Sequence, residues 1–214
     1  MKNYTILKNP VLQEIALQLH NIDTNCHCYR EYTELLGLYS GIELANLNIL
    51  PTKKKTITTP LGKLTSKVID DKRVGIVNIL RAGTCMALGM GKAFPDATIA
   101  FVSAWRKYEG KKITAESNYS RGIEDLKDKF VVITDPALAT GSSLLASISV
   151  MKEYLDTSKT IICSLNATRE GIEAIHKEYP EIHIYTAFLE EKMNEKYYIV
   201  NGPGDCGDRC FNTK

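Results

Sequence analysis

The stretch Phe130-Val-Val-Ile-Thr-Asp-Pro-Ala-Leu-Ala-Thr-Gly-Ser-Ser-Leu-Leu145 decides how this chain folds. Phe130 to Thr134 is short, apolar and β-branched, the composition of a strand buried on both faces. It stops at Asp135, passes through small and hydroxylated residues, and enters a helix-like segment, 142–155. Strand, loop and helix in that order make one unit of an α/β sheet. Ala139-Thr-Gly-Ser-Ser143 places several backbone N–H groups and three hydroxyls at the positive end of the helix, a cradle suited to a phosphate. The spacing G-x-x-x-x-G-K-[ST] and its lysine are missing, so this is not a Walker loop. An ordinary N-cap needs one such residue; three, downstream of an aspartate, point to anion binding.

Four more segments read as buried strands: Val74-Gly-Ile-Val-Asn-Ile79, Ala97 to Val102, Thr160 to Leu165 and Ile182 to Thr186. With the helix-like stretches 84–93, 142–155 and 169–178 they predict an open, mostly parallel five-stranded sheet with helices on both faces. Ligands of such sheets bind beyond the carboxyl ends of the strands, where strand order reverses. Ahead of the sheet, Pro10 to Leu19 and Tyr29 to Asn48 carry helical periodicity, the first with proline at N1. Residues 54–69 alternate around Pro60-Leu-Gly62 and predict a β-hairpin arm. No repeat or Pro/Gly/Ser linker divides the chain, so 1–214 reads as a single domain. Residues 105–125 are polar, charged and long, and are expected to form a mobile flap.

Two arginines close other strands. Asn78-Ile-Leu-Arg-Ala-Gly-Thr-Cys-Met86 sets Arg81 in the turn after the first sheet strand, where a guanidinium fork can meet a diphosphate. Ser103-Ala-Trp-Arg106 does the same at the foot of the expected flap. Together with the 139–143 cradle they call for a ligand bearing more than one phosphoryl group. In the tail, Tyr197 to Thr213, three glycines and a proline crowd between Gly202 and Gly207 and force turns. Asp205 and Asp208 flank Cys206-Gly207, with Ile199 and Phe211 as apolar anchors, the pattern of an ordered pocket lining.

Composition narrows the function classes. Hydrophobic residues make up 44% and charged residues 24%, near the soluble average, which argues against disorder. Lysine plus arginine number 27 against 25 acids, a net charge of +2, without the broad basic face of a nucleic-acid reader; Lys53-Lys-Lys55 is an isolated run. No apolar run is long enough for a membrane span and the start does not resemble a signal peptide, so a cytoplasmic location is expected. The six cysteines lack paired C-x-x-C spacing and are read as reduced thiols; Cys26-His27-Cys28 is too tightly spaced for one tetrahedral ion, and no protein-ligated metal is expected.

Taken together these motifs resemble the uracil phosphoribosyltransferases, a branch of the type I phosphoribosyltransferase family. That family's I-L-R-A-G is matched by Ile79 to Gly83, its D-P-M-L-A-T-G-G-S by Asp135 to Ser143, and its tail Y-I-[IV]-P-G-L-G-D-A-G-D-R-x-F-G-T by Tyr198 to Thr213. Arg106, Arg169-Glu-Gly-Ile172 and Leu189 to Asn194 add support, and the resemblance runs from the Pro10 helix to the last residues.

The resemblance implies transfer of the 5-phosphoribosyl group from 5-phosphoribosyl-1-pyrophosphate to uracil, giving UMP and pyrophosphate. It implies that Arg81 and Arg106 contact the pyrophosphate and that Asp135 holds the ribose hydroxyls. Pro136, Ala137 and Leu138 would belong to the phosphoribosyl site, and Ala139, Thr140, Gly141, Ser142 and Ser143 would hold the 5-phosphate. Ile199, Gly204, Asp205 and Cys206 would form the uracil slot within a C-terminal hood, 188–214, with Asp205 also near the ribose. Mg2+ would arrive with the substrate, and a homodimer or higher homo-oligomer is implied, with no nucleic-acid or membrane partner.

The chain departs from the family pattern at Thr84-Cys85, Ala137, Ser142, Asn201, Pro203, Cys206 and Asn212. Cys206 replaces alanine beside the slot and introduces an oxidisable thiol there. The departures leave two other readings, a different nucleobase or a nucleotide-sensing regulator on the same fold.

Overall fold

The computed structural model describes residues 3–109 and 112–213, the side chains of 104–118 excepted. Its elements in chain order are β1 (Tyr4–Ile6), α1 (Pro10–His20), α2 (Cys26–Asn46), β2 (Thr52–Thr59), β3 (Gly62–Ile69), β4 (Val74–Leu80), α3 (Thr84–Ala93), β5 (Thr98–Glu109) and β6 (Lys112–Arg121). There follow β7 (Phe130–Thr134), β8 (Ala137–Leu138), α4 (Ser142–Met151), β9 (Thr160–Thr168), α5 (Arg169–Glu178), β10 (His183–Glu190) and α6 (Cys206–Phe211).

The main sheet runs β1-β10-β9-β7-β4-β5-β6, with β8 alongside β9. The five strands expected from the sequence form its centre and pair in parallel. The edges could not be read from hydrophobic runs: β1 is three residues long and β6 is largely polar. Residues expected as a loop in 105–125 are in large part an antiparallel ribbon, in which β5 continues to Glu109 and β6 returns with Arg106 opposite Ala115.

Apolar side chains on the two faces of the sheet make two cores. One packs β4, β7 and β9 residues such as Ile76, Val132 and Cys163 against α1, α2 and α3. The other packs Val77, Ile133 and Ile162 against α4 and α5. Consecutive residues of one buried strand thus serve opposite cores, which is why these strands are apolar throughout.

The helices that follow β4 and β7, neighbours in the sheet, therefore leave toward opposite faces, α3 to one core and α4 to the other. A crevice opens between the carboxyl ends of two strands whose helices diverge in this way. Arg81 follows β4 and Asp135 follows β7.

Asn9 caps α1 by accepting from the Val11 and Leu12 amides, with Pro10 at N1 as expected. Asn25 caps α2, so Cys26-His27-Cys28 forms its first turn and its side chains fan out about 100° apart. β2 and β3 pair with each other from Thr52 opposite Ile69 to Thr59 opposite Gly62 and are exposed along most of their length, Leu61 fully so. Among the described residues no helix is long and apolar enough to cross a membrane.

Candidate active site

The loop after β7 is held from below by β9 and α5. The Asp135 amide donates to Cys163 O, and Pro136 O accepts from the Leu165 and Asn166 amides, so Pro136 turns its carbonyl toward β9. Ala137 and Leu138 then pair as β8 with Asn166 and Ala167. Buried Thr168, the N-cap of α5, donates its hydroxyl to Ala139 O at 2.6 Å and accepts from the Gly171 amide at 2.9 Å. Gly141 takes φ 79°, a conformation open to glycine, and so turns the chain into α4. As the N-cap it brings no side chain to the first-turn amides. Thr140 and Ser142 share a hydroxyl–hydroxyl hydrogen bond of 2.9 Å. The Ser142 amide donates to Thr140 Oγ1 at 3.4 Å; the rest of the first turn of α4 is open to an anion, and a narrow cleft along Thr140, Gly141, Ser142 and Ser143 leads to it.

Arg81 begins the turn after β4. Its carbonyl accepts from the Thr84 hydroxyl at 2.8 Å, and that hydroxyl accepts in turn from the fully buried Asn78 amide at 3.4 Å. Thr84, a departure from the family pattern, thus fastens the turn that carries the arginine. The guanidinium reaches the tail: Nη2 lies 2.9 Å from Asp208 Oδ1 and Nη1 donates to Thr213 Oγ1 at 3.0 Å. These contacts hold the Asp208 carboxyl below the usual carboxylate range, the Thr213 hydrogen bond first and the Arg81 hydrogen bond second.

The tail folds back over the strand ends. Asn194 organises its entry, exchanging backbone hydrogen bonds with Tyr197 and Tyr198. The Gly202 amide closes a turn on Ile199 O, and Asn201 within it takes φ 59°. Asp205 caps α6 by accepting from the Asp208 amide, while its other oxygen accepts from the Tyr198 hydroxyl at 3.2 Å. Cys206 is 4% exposed; burial pushes its thiol up to about 12, moderated by a hydrogen bond from Tyr29 and reinforced by the nearby Asp135 and Asp205.

These three structures surround one cavity of about 610 Å3. Arg81, Asp135, Ala137, Ala139 and Ser143 line one side, and Ile199, Gly204, Asp205 and Cys206 the other. The volume is that of a pocket for a small molecule. Sequence reasoning did not single out Leu80, Ala82, Ser103, Tyr197 and Tyr198, which also contribute. The two tyrosines stood in the tail motif, Leu80 and Ala82 flank Arg81, and Ser103 heads the strand end that carries Arg106. Leu138 is 1% exposed and serves the core. Arg106 sits on β5, but its side chain lies outside the described residues.

Two carboxylates, Asp135 and Asp205, face the cavity. Among the described residues no three His, Cys, Asp or Glu side chains converge as a metal cage. A magnesium ion carried on substrate phosphates needs no such cage, since it keeps several waters and takes one or two carboxylates. The residues present fit that mode.

Residues 6–213 match the family model described as uracil phosphoribosyltransferase. The uracil phosphoribosyltransferase of Dictyoglomus turgidum is 37% identical over 210 residues, covering 98% of this chain and 99% of its own. That of Halalkalibacterium halodurans is 34% identical over 214 residues and covers 100% of both chains. Among solved structures, the AQ2163 protein from Aquifex aeolicus superposes with a TM-score of 0.86 at 28% identity, covering 97% of each chain. The adenine phosphoribosyl transferase from Trypanosoma brucei, at 13% identity, shares the fold, with a TM-score of 0.53 over 92% of this chain and 88% of its own.

Proposed function

The chain belongs to the uracil phosphoribosyltransferase family, and on that premise we propose that it transfers the 5-phosphoribosyl group of 5-phosphoribosyl-1-pyrophosphate to uracil, releasing UMP and pyrophosphate. The observation that carries this reading is the cavity shared by Arg81, by Ala139 and Ser143 at the two ends of the phosphate loop, and by the Asp205-Cys206 corner of the tail, with the narrow cleft along Thr140, Gly141 and Ser142 adjoining it at Ala139 and Ser143. A phosphorylated sugar seated there has its 5-phosphate on the first turn of α4 and its anomeric carbon between Arg81 and Asp205.

The chemistry asks for positioning above all. Pyrophosphate leaves the anomeric carbon through a positively charged, oxocarbenium-like state, by analogy with glycoside cleavage. Arg81, and Arg106 on β5, stabilise the departing diphosphate, and Asp135 orients the ribose hydroxyls. Holding both partners in line can supply roughly 7–11 kcal/mol, so no covalent nucleophile is required. Asp135 and Asp205 are the carboxylates that would hold Mg2+ bound with the substrate, and the ion would neutralise phosphate charge.

Uracil is chosen by the Ile199 and Gly204-Asp205-Cys206 wall. Fixed main-chain donors and acceptors there suit uracil and leave buried groups unpaired against cytosine, which reverses the pattern at its exocyclic position. The ribbon at 105–125 serves as a flap that excludes water, and the 188–214 hood closes over the base. The exposed hairpin at 54–69 is the arm of a homodimer or higher homo-oligomer. The six cysteines are free thiols, which suits the reducing cytoplasm.

The test is direct. Protein, Mg2+, phosphoribosyl pyrophosphate and uracil are mixed, and UMP and pyrophosphate are quantified. Equal amounts of both support the reading; pyrophosphate without UMP, or neither product, contradicts it.

A further inference from the structure

Arg81 is approached from behind by the tail. Asp208 and Thr213 both bind its guanidinium, and the Thr213 hydroxyl also donates to the same Asp208 oxygen at 2.6 Å, so the three groups close a ring. The Thr213 amide donates to Asp208 O and braces that ring through the backbone. A carboxylate on one arm of the guanidinium and a hydroxyl on the other fix its plane, while its remaining N–H donors stay available to a ligand. The side chain still lines the cavity, although it is half exposed. A long arginine held in advance gives up less freedom when it meets a diphosphate.

The carboxylate stands on α6. The N-cap of that helix, Asp205, lies in the cavity wall beside Cys206, and the Asp208 amide donates to it at 2.9 Å. One short helix therefore touches the base end of the cavity with its cap and the pyrophosphate end with its first turn.

Resting on the reaction proposed above, we infer that Asp208, assisted by Thr213, is a positioning residue that presents Arg81 to the substrate's diphosphate and makes that grip depend on a seated tail. Asp208 acts through Arg81 and does not itself touch substrate.

Full-length Asp208→Asn and Thr213→Val proteins test this by steady-state kinetics in both substrates, with calorimetric titration of phosphoribosyl pyrophosphate in the presence of Mg2+. Asp208→Asn is expected to raise KM for phosphoribosyl pyrophosphate roughly tenfold while KM for uracil stays within about twofold. Thr213→Val moves the same constant in the same direction by less. Adding Asp208→Asn to Arg81→Gln is expected to cause no further loss, because contacts in one network are not additive.

An unchanged or lowered KM for phosphoribosyl pyrophosphate overturns the inference, the lowered value showing that Asp208 competes with the diphosphate for Arg81. Equal rises in both KM values, or additive losses in the double variant, overturn it in favour of a merely structural tail contact. If the unaltered chain neither binds phosphoribosyl pyrophosphate nor makes UMP, the proposed function falls and the inference with it. An active unaltered chain with indifferent variants removes the inference alone.

Discussion

The guanidinium of Arg209 lies 4.3 Å from the centroid of the buried Tyr29 ring. From that position it donates to Leu19 O, Asn21 O and Pro203 O, at 2.6, 2.6 and 2.8 Å. The corner between α1 and α2 and the turn before Gly204 are thus tied by one side chain. Lysine offers no planar fork to replace it.

Arg209→Lys is therefore expected to lower stability by about 2 kcal/mol in chemical denaturation, because a single ammonium cannot serve all three carbonyls and leaves buried acceptors unpaired. It should raise KM for uracil more than KM for phosphoribosyl pyrophosphate, the opposite selectivity from Asp208→Asn. A variant with unaltered uracil kinetics would show that this tie does not shape the base slot.

The phosphate loop rests on α5 at a contact that leaves no room for a side chain. A Cβ at Gly171 would sit 2.3 Å from Ala139 O and 3.0 Å from Leu138 O. Gly171→Ala is expected to destabilise the fold by about 1–3 kcal/mol through overpacking. Because the displaced atoms belong to the 139–143 loop, kcat/KM for phosphoribosyl pyrophosphate should fall by roughly tenfold or more. Wild-type kinetics in a folded variant would mean that the loop adapts.

Asn201 stands where the family pattern has proline, yet its φ of 59° is one that proline, locked near −65°, cannot take. Asparagine is among the few residues that tolerate that region. Restoring the family residue should thus do harm: Asn201→Pro is expected to lose more than about 1 kcal/mol and to weaken uracil binding, whereas Asn201→Gly keeps both. Thermal unfolding and uracil titration of the pair decide it, and a fully stable proline variant would show a turn free to reverse.

The thiolate is the reactive form of cysteine, and burial keeps Cys206 protonated up to about pH 12. The thiol that the sequence marks as oxidisable is thus shielded. Iodoacetamide at pH 8, followed by peptide mass spectrometry, is expected to label the half-buried Cys26 and Cys28 well before Cys206. Preferential labelling of Cys206 would indicate that the tail opens readily.

Legibility in the sequence followed how local each signal was. Asp135 and the 139–143 loop could be read because a buried strand, a run of small residues and a helix are contiguous, and Arg81 because it ends an apolar strand. The tail was legible through its glycines and paired aspartates. Contacts between distant residues were not: Asp208 and Thr213 meet Arg81 across 127 and 132 positions, and no periodicity links them. The same holds for Arg209 and the carbonyls near residue 20. The ribbon of β5 and β6 was missed because Arg106 to Glu109 carries no apolar alternation, so its pairing follows from continuation of the sheet.

The central claim is that one cavity grips a doubly phosphorylated sugar and lets the tail choose the base. It is tested most directly by offering uracil, cytosine, adenine, guanine and hypoxanthine together, with Mg2+ and limiting phosphoribosyl pyrophosphate, and separating the nucleotides formed. The account predicts UMP as the sole product. A different nucleoside monophosphate in its place, or none while phosphoribosyl pyrophosphate remains intact, would contradict it.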